Sequence, residues 1–282
     1  MTELRYERPP SLEAAVALMN DAAGRAVVLA GGTDLQIKLR DNDLAASLIV
    51  DIKALPGLQE IHWAPSGELT LGAAVTMRQL YEDARIVTCY PALADGAEVV
   101  GSLQVRTRAT LGGNLCNASP CMDTAPGLIV LGAKLRLVSA KGTRDVLAEG
   151  FFKHVKKTLR EPQEICTAIV IPAAAQKLKT AFGKIKRVRG HDLALVNAAV
   201  AYDPEAGTLR AAIGSAAPTP VVTPVLSGVN PKNTVEFGQK LAALALDVVK
   251  PIDDVRASAE YRRDMAGLLC RRLVSELLGG QK

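Results

Sequence analysis

A-T-L-G-G-N-L-C-N-A-S-P-C-M-D, residues Ala109–Asp123, places two adjacent glycines among hydroxyl and amide side chains, with a proline and an acid close behind. Glycine lets a backbone approach another group closely or take a positive φ. Asn, Ser and Thr favour turns that leave N–H groups pointing outward. The run therefore predicts a loop able to cradle an anion such as a phosphate in a nest of amides. A shorter stretch of the same character, A-G-G-T-D-L, occupies Ala30–Leu35. Two such loops suit a ligand with two phosphates.

The upstream loop has a readable setting. Ala26–Ala30, A-V-V-L-A, is a short apolar run that predicts a buried strand leading into Gly31 and Gly32. Thr33 or Asp34 is expected to cap the helix D-L-Q-I-K-L-R, which puts the glycines at a helix N-terminus, where backbone donors and the dipole favour an anion. Earlier, Ser11 is a good N-cap, with Ala14 in the capping-box position. Leu12, Ala15, Val16 and Met19 follow at helical spacing, and Gly24 marks a stop. Ser47–Ile52 reads as the next strand, giving a βαβ-type unit. A Rossmann fingerprint needs G-x-G-x-x-G. Here the glycines are adjacent and no third follows, which argues against that fold.

Between the two loops, Ile61–Val75 predicts a hairpin around P-S-G, Thr76 caps M-R-Q-L-Y-E-D, and Pro91–Val100 is helical. Beyond them, Asp123 suits either the cap of A-P-G-L-I-V-L-G or a ligand contact. Ala133–Ser139 and Glu164–Pro172 read as strands. From Gln176 the chain turns basic, K-L-K-T-A-F-G-K-I-K-R-V-R. That pattern fits an edge strand with a solvated face, or a docking or anion-contacting surface. Ala194–Tyr202 and Leu209–Ser215 complete a three-stranded antiparallel sheet. Two helices, Thr234–Val249 and Asp254–Leu278, follow. Tyr261, Met265, Leu269, Leu273 and Leu277 form an apolar stripe on the second. The fold class is α+β.

The composition sets outer limits. At 282 residues and 49% apolar, with no low-complexity tract, the chain is globular. A net charge of +5 permits nucleic acid, but 4% aromatics disfavour base stacking, and an anionic ligand or acidic partner accounts for the charge as well. No nucleic-acid partner is expected. The five cysteines (89, 116, 121, 166 and 270) are odd in number and include no C-x-x-C, against a disulfide framework or closed zinc site. Cys116 and Cys121 read as small loop-lining residues, and His62, His154 and His191 have no metal spacing. No apolar run is long enough to span a bilayer, and M-T-E-L-R-Y-E-R-P-P lacks a signal-peptide core, so a cytoplasmic location is expected.

The two glycine motifs, with G-S-L-Q-V-R (101–106), G-A-K-L-R-L-V-S (132–139) and R-A-S-A-E-Y-R-R (256–263), resemble the FAD-binding medium subunit of the molybdenum hydroxylases, the xanthine dehydrogenase and carbon monoxide dehydrogenase group. The resemblance runs over essentially the whole chain. It implies a two-subdomain FAD-binding fold of the PCMH type, residues 1–55 and 56–175, followed by a C-terminal α+β domain, 176–282, whose three-stranded antiparallel sheet carries helices.

Carried onto this sequence, Val28, Leu29, Ala30, Gly31, Gly32, Thr33, Asp34 and Leu35 would form the first FAD loop, their amides on the pyrophosphate and the Thr33 hydroxyl assisting. Ala109, Thr110, Gly113, Asn114 and Asn117 would line the second side. Asp123 would accept from the adenosine ribose or flavin tail, and Ile165 would contact the ring system. Lys184 would lie near the flavin, with Lys186 the alternative because the family pattern is shifted there by a residue. No catalytic acid–base pair and no metal ligands are expected on this chain.

The implied activity is that of an oxidoreductase subunit. It would pass electrons from [2Fe–2S] clusters of a small partner subunit through FAD to an acceptor such as NAD or a quinone. The organic substrate would be oxidised on a large molybdopterin subunit, in a dimer of heterotrimers. A stand-alone flavin oxidase and a non-redox nucleotide-binding protein of the same fold are the alternatives.

Overall fold

The structure is a computed structural model and describes residues 4–279. It is built on three larger sheets that follow one another along the chain. The first contains β1 (Arg5–Glu7), β2 (Ala26–Leu29) and β3 (Leu48–Asp51), all parallel, in the order β1-β3-β2. Its connections are α1 (Leu12–Asp21) and α2 (Leu35–Arg40). The Ser11 side chain accepts from the Ala14 N–H at 3.2 Å, the cap its position predicts, and α1 buries Ala15 and Met19. The helix ends before Gly24, because both Ala23 and Gly24 take positive φ.

The second sheet starts with the expected hairpin, β4 (Ile61–Trp63) and β5 (Leu69–Gly72). A run of short helices follows: α3 (Met77–Glu82), α4 (Ala84–Cys89), α5 (Pro91–Glu98), α6 (Leu103–Arg106), α7 (Leu111–Asn117) and α8 (Thr124–Val130). Thr76 and Gln79 form a full capping box on α3. The chain then returns through β6 (Lys134–Ser139), β7 (Gly142–Leu147), α9 (Ala148–Phe151), the small hairpin β8 (Phe152–His154) and β9 (Lys157–Thr158), and β10 (Ile165–Ile171). The sheet order is β4-β5-β10-β6-β7. The unbroken apolar run I-C-T-A-I-V-I belongs to the central strand β10, every residue of which is buried.

The third sheet contains β11 (Lys179–Ile185), β12 (Val196–Asp203) and β13 (Thr208–Gly214), antiparallel as expected. Two short strands, β14 (Val221–Val222) and β15 (Leu226–Ser227), extend it on the far side of β13. One face buries α10 (Thr234–Val248) and α11 (Ala259–Leu278). On the other face, α5 and α8 tie it to the core of the second sheet, to which Ala199, Ala201 and Ala212 contribute.

Helix α11 departs from its expectation in two ways. It starts at Ala259 with Ser258 as N-cap, while the Asp254 carboxylate holds the preceding turn through the Arg256 and Ala257 N–H groups and pairs with the Arg262 guanidinium at 2.8 Å. Its buried face is Arg262, Ala266, Leu269, Cys270 and Leu273, so Tyr261 points to solvent rather than joining the stripe. Leu269 sits so close to β11 that a Cβ at Gly183 would come within 2.9 Å of it.

Candidate functional site

The first and second sheets meet at a cavity of about 360 Å³, within the range of ligand pockets. Its two long walls are the segments following β2 and preceding α7, brought together from opposite ends of a long sequence gap. Contact between them is backbone to backbone. A Cβ on Gly31 would collide with the Arg108 carbonyl oxygen and lie 2.9 Å from the Ala109 Cα. Gly112 packs similarly, its absent Cβ leaving room for the Ala73 Cβ at 2.6 Å. These two glycines are therefore demanded by protein packing. Gly32, at φ +78°, serves the turn.

The backbone donors of the two walls differ. On the α7 side they are spent: the Leu111 N–H donates to the Val75 carbonyl, Gly112 to Ala73, Gly113 to the Thr110 Oγ1 at 3.2 Å, and Asn114 to the Thr110 carbonyl. On the α2 side the N–H groups of Gly31, Gly32, Thr33, Asp34 and Leu35 donate to no acceptor among the described residues. Neither Thr33 nor Asp34 caps α2, contrary to the sequence expectation. The Asp34 carboxylate instead accepts from the Asn117 Nδ2 at 2.7 Å across the cavity mouth. That bond links the two loops and leaves the amide run free. Of the two loops expected to meet phosphates, the first offers a run of five free amides, whereas the second spends those of Leu111–Asn114 and supplies mainly side chains and walls.

Positive charge comes from positions that sequence reasoning missed. Lys38, Lys156 and Arg160 line the cavity. Lys156 takes φ +58° in the β8–β9 turn, and its N–H donates to the Ala118 carbonyl at the end of α7. Burial pushes the Lys156 ammonium below the usual lysine range, with Asp34 opposing. The Arg160 Nη1 is tied to the Glu164 carbonyl at 2.7 Å. Burial works to raise the Glu164 carboxyl, but the hydrogen bonds from Arg144, at 2.6 and 2.8 Å, and from the Glu161 N–H, with the charges of Arg144 and Arg160, together outweigh it and keep the group below its ordinary range. No local pattern marks these residues, since they reach the cavity from a turn and a connecting segment.

Of the residues singled out from sequence, Leu29, Asp123, Ile165 and Lys184 do not line the cavity, and the other twelve do. Ile165 is fully buried beneath the first sheet, while its neighbours Glu164 and Cys166 reach the cavity, as alternation along a strand requires. Asp123 makes no cap hydrogen bond to α8, so the cap reading fails. It forms a buried ion pair with Lys184 at 2.7 Å and accepts from the Asn197 Nδ2 at 2.7 Å. Burial raises the Asp123 carboxyl, with Lys184 opposing. Lys184 also donates to the Val99 carbonyl, one residue behind the wall residue Val100, whereas the Lys186 Nζ donates to the Gly190 carbonyl.

Known proteins resemble this chain over nearly its whole length. Residues 2–174 match the family described as the FAD binding domain in molybdopterin dehydrogenase, and residues 180–277 match the CO dehydrogenase flavoprotein C-terminal domain. The chain is 31% identical over 277 residues to the xanthine dehydrogenase FAD-binding subunit of Escherichia coli O157:H7, covering 96% of this chain and 94% of that one. It is 30% identical over 278 residues to the carbon monoxide dehydrogenase medium chain of Hydrogenophaga pseudoflava, covering 96% and 95%. Among solved structures, carbon monoxide dehydrogenase from Hydrogenophaga pseudoflava, in a form lacking the Mo-pyranopterin moiety of its cofactor, superposes with a TM-score of 0.90 at 29% identity, covering 98% of each chain. Quinoline 2-oxidoreductase from Pseudomonas putida 86 gives 0.86 at 27%, covering 98% of this chain and 97% of that one.

Proposed function

Since the chain belongs to the FAD-binding subunit family of the molybdenum hydroxylases, an oxidoreductase family, we propose that the cavity between its first two sheets holds FAD and that the chain is the electron-transfer component of a heteromeric enzyme. The free amides of Gly31–Leu35 carry this reading. Five neighbouring donors without protein acceptors at a cavity wall suit a pyrophosphate, which brings acceptors and negative charge together. Lys156 and Arg160 supply compensating charge. Apolar lining from Val28, Ile52, Val100 and Val105 suits the flat rings of the same ligand.

A bound flavin supplies the ability to take up electrons singly and release them in pairs. This chain's residues hold it and set what reaches it. Gly31 locks the two walls together, Gly112 seats α7 against Ala73, the Asn117–Asp34 bond links the two loops, and the Lys184–Asp123 pair ties the C-terminal sheet to the chain behind the wall. The electrons would come from [2Fe–2S] clusters on a small partner subunit and leave to an acceptor such as NAD or a quinone. Oxidation of the organic substrate would occur on a large molybdopterin subunit, in a cytoplasmic dimer of heterotrimers.

Purification of the native complex tests the proposal. Flavin absorbance overlapped by iron–sulfur bands, with stoichiometric FAD released from this chain, is the expected result. A colourless chain without partner subunits would overturn it, and a yellow chain that oxidises an alcohol unaided would replace it with the flavin-oxidase reading.

A further inference from the structure

The basic stretch after Gly183 is only partly used by the cofactor site. Lys184 turns inward to Asp123, and Arg187 pairs with Asp192, whose carboxyl is held well below its ordinary range by that guanidinium. The segment then forms one side of a second cavity of about 400 Å³, whose other side is α11. Lys186, Arg189 and Arg272 line it, and none of these cations has a carboxylate within ion-pair reach among the described residues. Its apolar lining includes Val188, Met265, Leu268 and the exposed face of Tyr261.

Apolar exposure continues beyond the groove. Val188 is 57% exposed, Tyr261 43%, Ile252 68% and Val255 97%. Single exposed apolar residues are ordinary, but a cluster rimmed by charge marks an interaction surface. Ile252 and Val255 flank Asp254, which Arg262 holds at 2.8 Å and which lies near enough to Arg187 to reinforce its charge. The buried Arg262 also donates to the Leu195 carbonyl at 2.6 Å and the Ser215 carbonyl at 3.3 Å. The loop that presents these apolar side chains is thus braced against the sheet, which lowers the ordering cost of docking.

We propose that this groove, with the Ile252–Val255 loop beside it, is the docking site for a segment of a partner subunit that is acidic and carries apolar side chains. The inference rests on the heteromeric reading above. Charge complementarity selects the occupant: three cations without carboxylates attract acidic side chains, while the apolar floor and an exposed aromatic form the kind of patch centre that protein interfaces bury. A small anion would leave Ile252 and Val255 uncovered, and nucleic acid would find one aromatic ring for stacking.

The test uses the co-expressed complex. Arg189→Glu combined with Arg272→Glu should lower the association rate on the order of tenfold or more at low salt and weaken its fall with rising salt. FAD content and thermal unfolding of the chain should match the wild type. Val188→Asp should weaken assembly in the same way without changing FAD content, and Lys134→Glu, an exposed position on β6 of the second sheet outside the groove lining, should have no effect on assembly. Normal assembly of both groove variants overturns the inference. Normal assembly with a raised KM for an anionic electron acceptor also overturns it, assigning the groove to a small ligand. The wild-type control separates the two claims: FAD-loaded wild-type chain that captures no subunit overturns the heteromeric reading itself.

Discussion

At Gly31 the two walls of the cavity touch, and the contact is intolerant of a side chain because the obstacle is the Arg108–Ala109 backbone. Gly31→Ala should separate the walls, lower stability by about 1–3 kcal/mol and release FAD, measured by denaturant unfolding and by flavin retained after ultrafiltration. Gly113 differs. Its nearest neighbours are the Thr110 Oγ1 and, at 3.9 Å across the gap, the Ala30 Cβ. Gly113→Leu should therefore abolish flavin retention while far-UV circular dichroism stays at the wild-type level; unchanged flavin content would remove Gly113 from the site. Lys156 supplies a pH signature. Its charged form assists an anion, and burial depresses its pKa, so FAD affinity should be full at neutral pH and fall as pH rises through a midpoint below the usual lysine range. Lys156→Met should flatten that alkaline limb in a fluorescence titration. Thr110 was legible in sequence because it caps the Gly113 N–H three residues on, and the glycines because their adjacency marks a close backbone approach, although not the distant residue approached. Lys156 was not, because its role depends on a turn docking against the end of α7.

Among the elements, α7 and α11 separate what local chemistry decides from what it does not. Thr110 caps α7 with its own Gly113 N–H, so Thr110→Ala should cost about 1 kcal/mol, read from the denaturation midpoint. Ser11, Thr76 and Ser258 cap by the same local bond. Asp34 and Asp123 look equally suited to capping in sequence, yet each is drawn away by a distant amide or ammonium. On α11, Asp254 anchors the preceding loop. Burial works to raise its carboxyl, but the N–H groups of Arg256 and Ala257 and the Arg262 guanidinium outweigh it, and the carboxyl is pushed down to about 2. The sign follows: the folded pKa lies below the unfolded one, so the contribution is complete above the ordinary aspartate range and fades as pH falls toward about 2. Asp254→Asn should flatten this acid limb in thermal scans from neutral pH downward.

For the whole molecule, the arrangement is a cavity between two sheets, with the Lys184–Asp123 pair tying a C-terminal domain, which carries the basic groove, to the chain behind its wall. FAD binding only the folded chain should stabilise it by about 2.7 kcal/mol at a hundredfold excess over its Kd, and inorganic pyrophosphate should compete by occupying the Gly31–Leu35 amides. Calorimetry checks both, and pyrophosphate without effect on FAD affinity would move the phosphates off that loop. Many of the longer strands and helices and the two glycine-rich segments followed from the sequence by itself, because periodicity, caps and turn residues report on neighbours within a turn or two, and the family followed from the resemblance of its motifs; Leu111–Asn117, expected within a loop, is instead helix α7. Tertiary structure alone decided which amides stay free, which of Asp34, Asp123, Lys184 and Lys186 are paired, and which face of α11 is buried. The pairings of Asp34, Asp123 and Lys184 are settled by partners far away in the chain, as Asn117 is from Asp34 at a separation of 83 residues, and no local pattern encodes those partners.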